Sequence, residues 1–177
     1  MMTKTAINAV KKISNGSTGS ANIREGIMEQ NGCYVVTDGT MLVRLTEDIP
    51  EFPRIKESVV FNAEYFVDDA KKDEEVEFNV SSEKKQWKAF KEAMKLCNVE
   101  KSKQAWNLVD DVWVSMKRLE TVATAIKATK FYVPANPLAP IYFEGEYGDA
   151  ILMPVRCLEK NKELIRNAIK AYNNREF

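Results

Sequence analysis

Lysines are the residues whose spacing can do chemistry in this chain. Lys84, Lys88, Lys91 and Lys95 recur at helical intervals and fall within one narrow stripe of the segment 82–98, whose other side carries Trp87, Phe90, Met94 and Cys97. Such a stripe presents ammonium groups to phosphates or to an acidic protein; it is also the form taken by a solvated face above a packed underside. Acids are the second candidate. Asp68, Asp69 and Asp73, or Asp110 and Asp111, can hold a divalent cation for a hydrolytic step. Adjacent acids at helix ends are more often solvated caps, and consecutive helical positions such as 68 and 69 point to different faces.

The chain contains no histidine. That removes Ser-His and Cys-His nucleophilic systems, imidazole general bases and the commonest transition-metal ligand. An enzyme built from this chain would have to run on carboxylates, lysines or a bound cation. No Walker loop, GxGxxG or GxSxG occurs among its seven glycines. Cys33, Cys97 and Cys157 are far apart with no CxxC pair, which predicts reduced thiols rather than a zinc site or a disulfide framework. The expectation is a noncatalytic protein with no cofactor and no metal.

With 177 residues, 45% of them hydrophobic, the chain can bury one substantial core. Lys plus Arg and Asp plus Glu both number 26, so contact with nucleic acid must come from local segregation of charge. No apolar stretch is long enough for a membrane span, and Met1-Met2-Thr3-Lys4-Thr5-Ala6 lacks the apolar run of a signal peptide. These features predict a cytoplasmic protein without membrane association.

The elements that must position the lysines follow from periodicity and turn chemistry. Residues 4–15 read as a helix with Ile7, Val10 and Ile13 on its apolar side, and the Gly/Ser/Asn cluster 15–20 ends it. Ile23 to Glu29, Cys33 to Asp38 and Met41 to Leu45 read as a three-stranded meander with turns at Asn31-Gly32 and Asp38-Gly39. Ser58 to Phe61 reads as a strand, and Asn62 caps a helix over 63–72 with Phe66 and Ala70 inward. Glu74 to Val80 is the next expected strand, and Ser82 caps the lysine-striped helix. Val112 to Ser115 is a strand and Met116 to Thr129 a helix with Leu119, Val122, Ala123 and Ile126 inward. Strands at Lys130 to Val133, Pro140 to Glu144 and Ala150 to Val155 follow, then a helix over 158–172. The fold class expected is α+β: repeated strand-helix-sheet units with helices on one face of an antiparallel sheet, plus an extra C-terminal helix.

Three separated pieces carry a resemblance. They are the helix 6–14 with Tyr34-Val35-Val36-Thr37-Asp38-Gly39-Thr40-Met41-Leu42-Val43; Val60-Phe61-Asn62-Ala63-Glu64-Tyr65-Phe66-Val67-Asp68-Asp69-Ala70; and Pro140-Ile141-Tyr142-Phe143-Glu144 running on to Ala150-Ile151-Leu152-Met153-Pro154-Val155-Arg156. In this order they resemble the sliding-clamp family, the beta subunit of bacterial DNA polymerase III, whose chains close on a strand ending Met-Pro-hydrophobe-Arg. Here residues 157–177 follow that strand. The resemblance implies a DNA-clamp-like domain over 1–156, with a helical insertion at about 81–108, and a helical tail over 157–177.

The resemblance also implies a site. Clamp helices line a ring and hold duplex DNA by phosphate contacts of low sequence specificity; the matching helices here offer Lys4, Lys11 and Lys12, then Lys117, Arg118 and Lys127. With Lys84, Lys88, Lys91 and Lys95 these are the expected DNA-binding residues. Ile151, Met153, Pro154 and Val155 match the strand beside which clamps capture linear motifs of DNA polymerase and other replication proteins. A clamp chain has three such domains and this one has length for one, so a ring implies a homo-oligomer of roughly six domains. The same fold without DNA binding would be a monomeric or dimeric adaptor for replication proteins.

Overall fold

The computed structural model describes residues 1–15, 26–55, 62–70 and 74–174. The expected strand at Ser58 to Phe61, most of the Gly/Ser cluster and Asp73 lie outside them. Helix α1 (Lys4–Ser14) starts where the Thr3 hydroxyl accepts from the Ala6 amide and buries Ala6, Ala9, Val10 and Ile13. Strands β1 (Met28–Gln30), β2 (Cys33–Thr37) and β3 (Met41–Leu45) form a meander as expected, but β1 starts at Met28, and residues 23–25 of the expected first strand lie outside the described residues. Asn31 and Gly32 both take positive φ, 49° and 75°, as a two-residue hairpin requires. At the second turn the Asp38 carboxylate accepts from the Thr40 and Met41 amides at 2.8 and 2.7 Å.

Helix α2 (Ala63–Asp69) is capped by Asn62 as expected, but it is shorter than 63–72. Its inward residues are Ala63, Val67 and Ala70, not Phe66, which is 46% exposed. After β4 (Glu74–Glu77), Asn79 rather than Ser82 caps α3 (Val80–Leu96), its side-chain oxygen accepting from the Ser81 and Ser82 amides. The cap stops the strand short of Val80. A single 3-10 turn, Lys101–Lys103, leads to β5 (Ala105–Val109), a strand where the sequence suggested the end of a helical insertion. It pairs with β6 (Val112–Ser115), and Trp106 stacks edge-on against Phe90 of α3 at 5.3 Å. The hairpin is held by packing that no local pattern announces.

Helix α4 (Met116–Ile126) ends three residues earlier than expected because Lys127 takes φ 51°. Strand β7 (Ala128–Val133) starts at once, followed by β8 (Ile141–Gly145) and β9 (Gly148–Leu152). The last strand also stops early: Met153 to Val155 leave the ladder, and the Val155 amide donates to the Trp113 carbonyl at 2.8 Å. Helix α5 (Glu159–Asn174) packs on α3 and buries Ile165 and Ala168 in the main core.

Seven strands form one antiparallel sheet in the order β1-β2-β3-β9-β8-β7-β4. A helix followed by a three-stranded meander thus occurs twice, as α1 with β1 to β3 and as α4 with β7 to β9, and the meanders meet at the β3–β9 seam. The earlier unit comparable to α4 and its strands is therefore α1 with its meander, not the segment around α2. Helices do not all share one face. Val36, Val43, Ala150 and Leu152 face the core made with α1, α3, α4 and α5, whereas Val35, Leu42, Tyr142 and Ile151 face α2 on the other side. Among the described residues no helix is long and apolar enough to cross a membrane.

Gly148 opens the seam strand at φ 142°, and a Cβ there would sit 2.0 Å from the Arg44 carbonyl oxygen of β3. Gly148→Ala is expected to lower stability by about 2–4 kcal/mol, from backbone strain and overpacking together. Urea denaturation checks this; an unchanged midpoint refutes it.

Candidate nucleic-acid interface

Helices α1 and α4 lie side by side on the sheet, and their outer surfaces form one side of a groove of about 1310 Å³. Helix α3, the 3-10 turn and the segment 155–157 form the rest. Nine cations line it among the described residues: Lys11, Lys12, Lys84, Lys91, Lys101, Lys103, Lys117, Arg118 and Arg156. Two carboxylates accompany them, Asp38 and Glu120. In a chain of zero formal net charge this is strong local segregation.

Neither carboxylate is free in the groove. Asp38 is buried and its oxygen is engaged by the turn amides and the Thr40 hydroxyl. Glu120 pairs with Lys91, and Lys103 pairs with Glu100 at 3.0 Å. Lys12, Lys84, Lys101, Lys117, Arg118 and Arg156 form no ion pair among the described residues, and the Lys11 ammonium lies 5.8 Å from the centre of the Phe52 ring. Elsewhere cations are paired more often, although Lys4, Lys85, Lys88, Lys95, Lys160 and Lys170 also form no ion pair among the described residues. Arg44 pairs with Asp149, Arg54 with Asp48, Lys127 with Glu146, Lys130 with Glu75 and Glu144, and Lys162 with Asp111 and Glu159.

No aromatic side chain lines the groove among the described residues; the uncharged lining is Thr, Asn, Ser, Gln and small apolar groups. A surface of ammonium, guanidinium, hydroxyl and amide groups can hold phosphate oxygens and offers no platform for stacking bases. The chemistry available is recognition of a polyanion by its backbone.

Of the ten expected DNA-binding residues, the structure brings Lys11, Lys12, Lys84, Lys91, Lys117 and Arg118 together. Lys88 and Lys95 are exposed on the same stripe of α3 but do not line the groove, and Lys4 is exposed outside it. Lys127 also lies outside the lining: it caps α4, pairs with Glu146 and sits over Tyr147. Three cations were missed. Lys101 and Lys103 lie in a short turn without periodicity, and Arg156 was legible only as the end of the Met-Pro-Val-Arg motif.

The expected partner-binding residues do not share a surface. Ile151 is buried beneath α2, Met153 is 39% exposed, Pro154 is half-buried, and Val155 packs on the main core and lines the groove. The acid pairs fare similarly. Asp110 takes φ 44° in the β5–β6 turn, and Asp111 accepts from Lys162 at 2.5 Å and from the Trp113 indole at 3.2 Å. Among the described residues no group of three or more His, Cys, Asp or Glu can hold a metal. Cys33, Cys97 and Cys157 are free, and burial pushes the Cys157 thiol up.

The Asp111–Lys162 pair ties α5, whose Asn161 reaches the groove, to the β5–β6 hairpin. The hydrogen bond from Lys162 holds the Asp111 carboxyl below its ordinary value. A depressed carboxylate contributes stability above its unfolded pKa, about 3.9, and loses it as pH falls through the folded value. Asp111→Asn is therefore expected to cost stability at pH near 7 and to shrink the loss seen on acidification. Denaturation curves at neutral and acid pH check the difference; parallel losses in both proteins refute it.

No protein-family model, no curated protein and no solved structure matches this chain.

Proposed function

We propose that this chain is a noncatalytic, clamp-related protein that holds the phosphate backbone of duplex DNA in the cationic groove. The carrying observation is the concentration of nine cations, seven of them without an ion pair among the described residues, in one concavity of a neutral molecule. The lack of aromatic lining among the described residues favours a duplex, whose bases are already stacked, over a single strand. Two helices side by side, each followed by a three-stranded meander, support the sliding-clamp resemblance. In this reading DNA replication is the setting and the groove is the DNA-binding surface.

A ring of copies joined through the sheet edges is disfavoured by charge. Among the described residues one edge strand is β1, with exposed Glu29, and the other is β4, with exposed Glu74, Glu77 and Glu75, the last paired with Lys130. Acidic edges repel an added strand from a second copy. The groove is instead lined within one chain, by α3 and the 3-10 turn as well as by α1 and α4.

The adaptor reading is favoured by a different surface. Tyr65 and Phe66 of α2, 64% and 46% exposed, pack edge to face at 5.6 Å on the side of the sheet opposite the main helices. Exposed aromatic pairs are common anchors for protein partners.

Fluorescence anisotropy with a labelled short duplex separates the two. With about six phosphate contacts, affinity is expected to fall about a thousandfold between about 50 and 200 mM salt. Reversing Lys12 and Lys117 to Glu together is expected to weaken binding about a hundredfold at the lower salt and to flatten the salt slope by about two. No binding at low salt sinks the DNA reading and leaves the adaptor.

A further inference from the structure

We infer that Glu120 is an internal occupant of the groove: it holds Lys91 where a phosphate would, and so limits how tightly the groove binds nucleic acid. This rests on the groove reading above. Lys91 projects from α3 and Glu120 from α4, so their ion pair joins two neighbouring helices that both line the groove. It is the one ion pair among the described residues in which both partners line the groove. The other lining carboxylate, Asp38, is buried with one oxygen engaged by backbone amides, and it pairs with no lysine among the described residues.

The pair is open to exchange. The Lys91 and Glu120 side chains are 48% and 37% exposed, and pairs this accessible contribute little net stability. An arriving phosphate can therefore take the Lys91 ammonium from the carboxylate. What it cannot remove is the carboxylate itself, which stays on α4 one turn from Lys117 and close to Arg118 in sequence. Binding then costs the broken pair and the repulsion between Glu120 and the phosphate. A groove lined by nine cations is thereby kept from its full affinity, which suits a protein that must hold a polyanion without fixing it in place.

The test uses the full chain, a labelled short duplex and a salt series. Glu120→Gln keeps the side-chain shape and removes the charge. It is expected to bind about fivefold tighter than wild type at low salt, with a salt slope steeper by about one because Lys91 now releases a counterion of its own. Lys91→Met placed on top of Glu120→Gln is expected to abolish that gain, and to cost more there than in the wild-type background. A steeper slope is not something a merely structural salt bridge would produce. Wild-type binding with Glu120→Gln equal or weaker overturns the inference, as does a gain that survives Lys91→Met. Absence of wild-type binding at low salt overturns the groove reading and this inference together, and is distinguishable from both.

Discussion

The burial of α4 is the constraint on which the rest of the molecule depends. Leu119, Val122, Ala123, Ala125 and Ile126 have no exposed surface, because α4 packs on the sheet around the β3–β9 seam, along α1, and against α3. Each large side chain among these contributes about 1.5–3 kcal/mol by leaving water. The helix is left with one narrow polar strip, Lys117, Arg118, Glu120, Thr121 and Thr124, and that strip lines the groove. The direction of its cations is therefore a by-product of core packing. Once α4 is seated, they have nowhere else to point.

The same seating explains why charge collects on one side of a neutral chain. Helix α3 is fastened by Trp87, Phe90 and Met94 below it and by α5, so its lysine stripe lies along one margin of the groove. On the sheet and at its turns, cations meet carboxylates from neighbouring strands, as Arg44 meets Asp149 directly across the β3–β9 ladder. Helices supply fewer such partners to the groove, since α1 and α4 carry no acid in their first turns. Repulsion among the unpaired cations is tolerated because they remain largely in water.

Element identities were mostly legible, and the reasons are local. Asn31-Gly32 can only be a tight turn between two apolar runs, and the Leu119, Val122, Ala123, Ile126 spacing can only bury one face of a helix. The misplacements were equally physical. Asn79 outcompeted Ser82 as a cap because it precedes a turn whose amides it can reach; Phe66 pointed to solvent because α2 meets the sheet through Ala63, Val67 and Ala70. Strand β5 was invisible because Ala105 to Val109 is ordered by pairing with β6 and by Trp106 against Phe90, contacts made at a distance in the chain.

By itself the sequence determined the α+β class, the absence of histidine chemistry and the lysine stripe of α3, since all of these depend on composition or on intervals of a few residues. Only the tertiary structure decided which cations lie together. It placed Lys101, Lys103 and Arg156 beside Lys12 and Lys117, sent Lys127 to Glu146, buried Ile151 beneath α2, and set Glu120 against Lys91. Such neighbours come from elements far apart in the chain, brought together by burial of their apolar faces, and helical periodicity says nothing about what stands opposite.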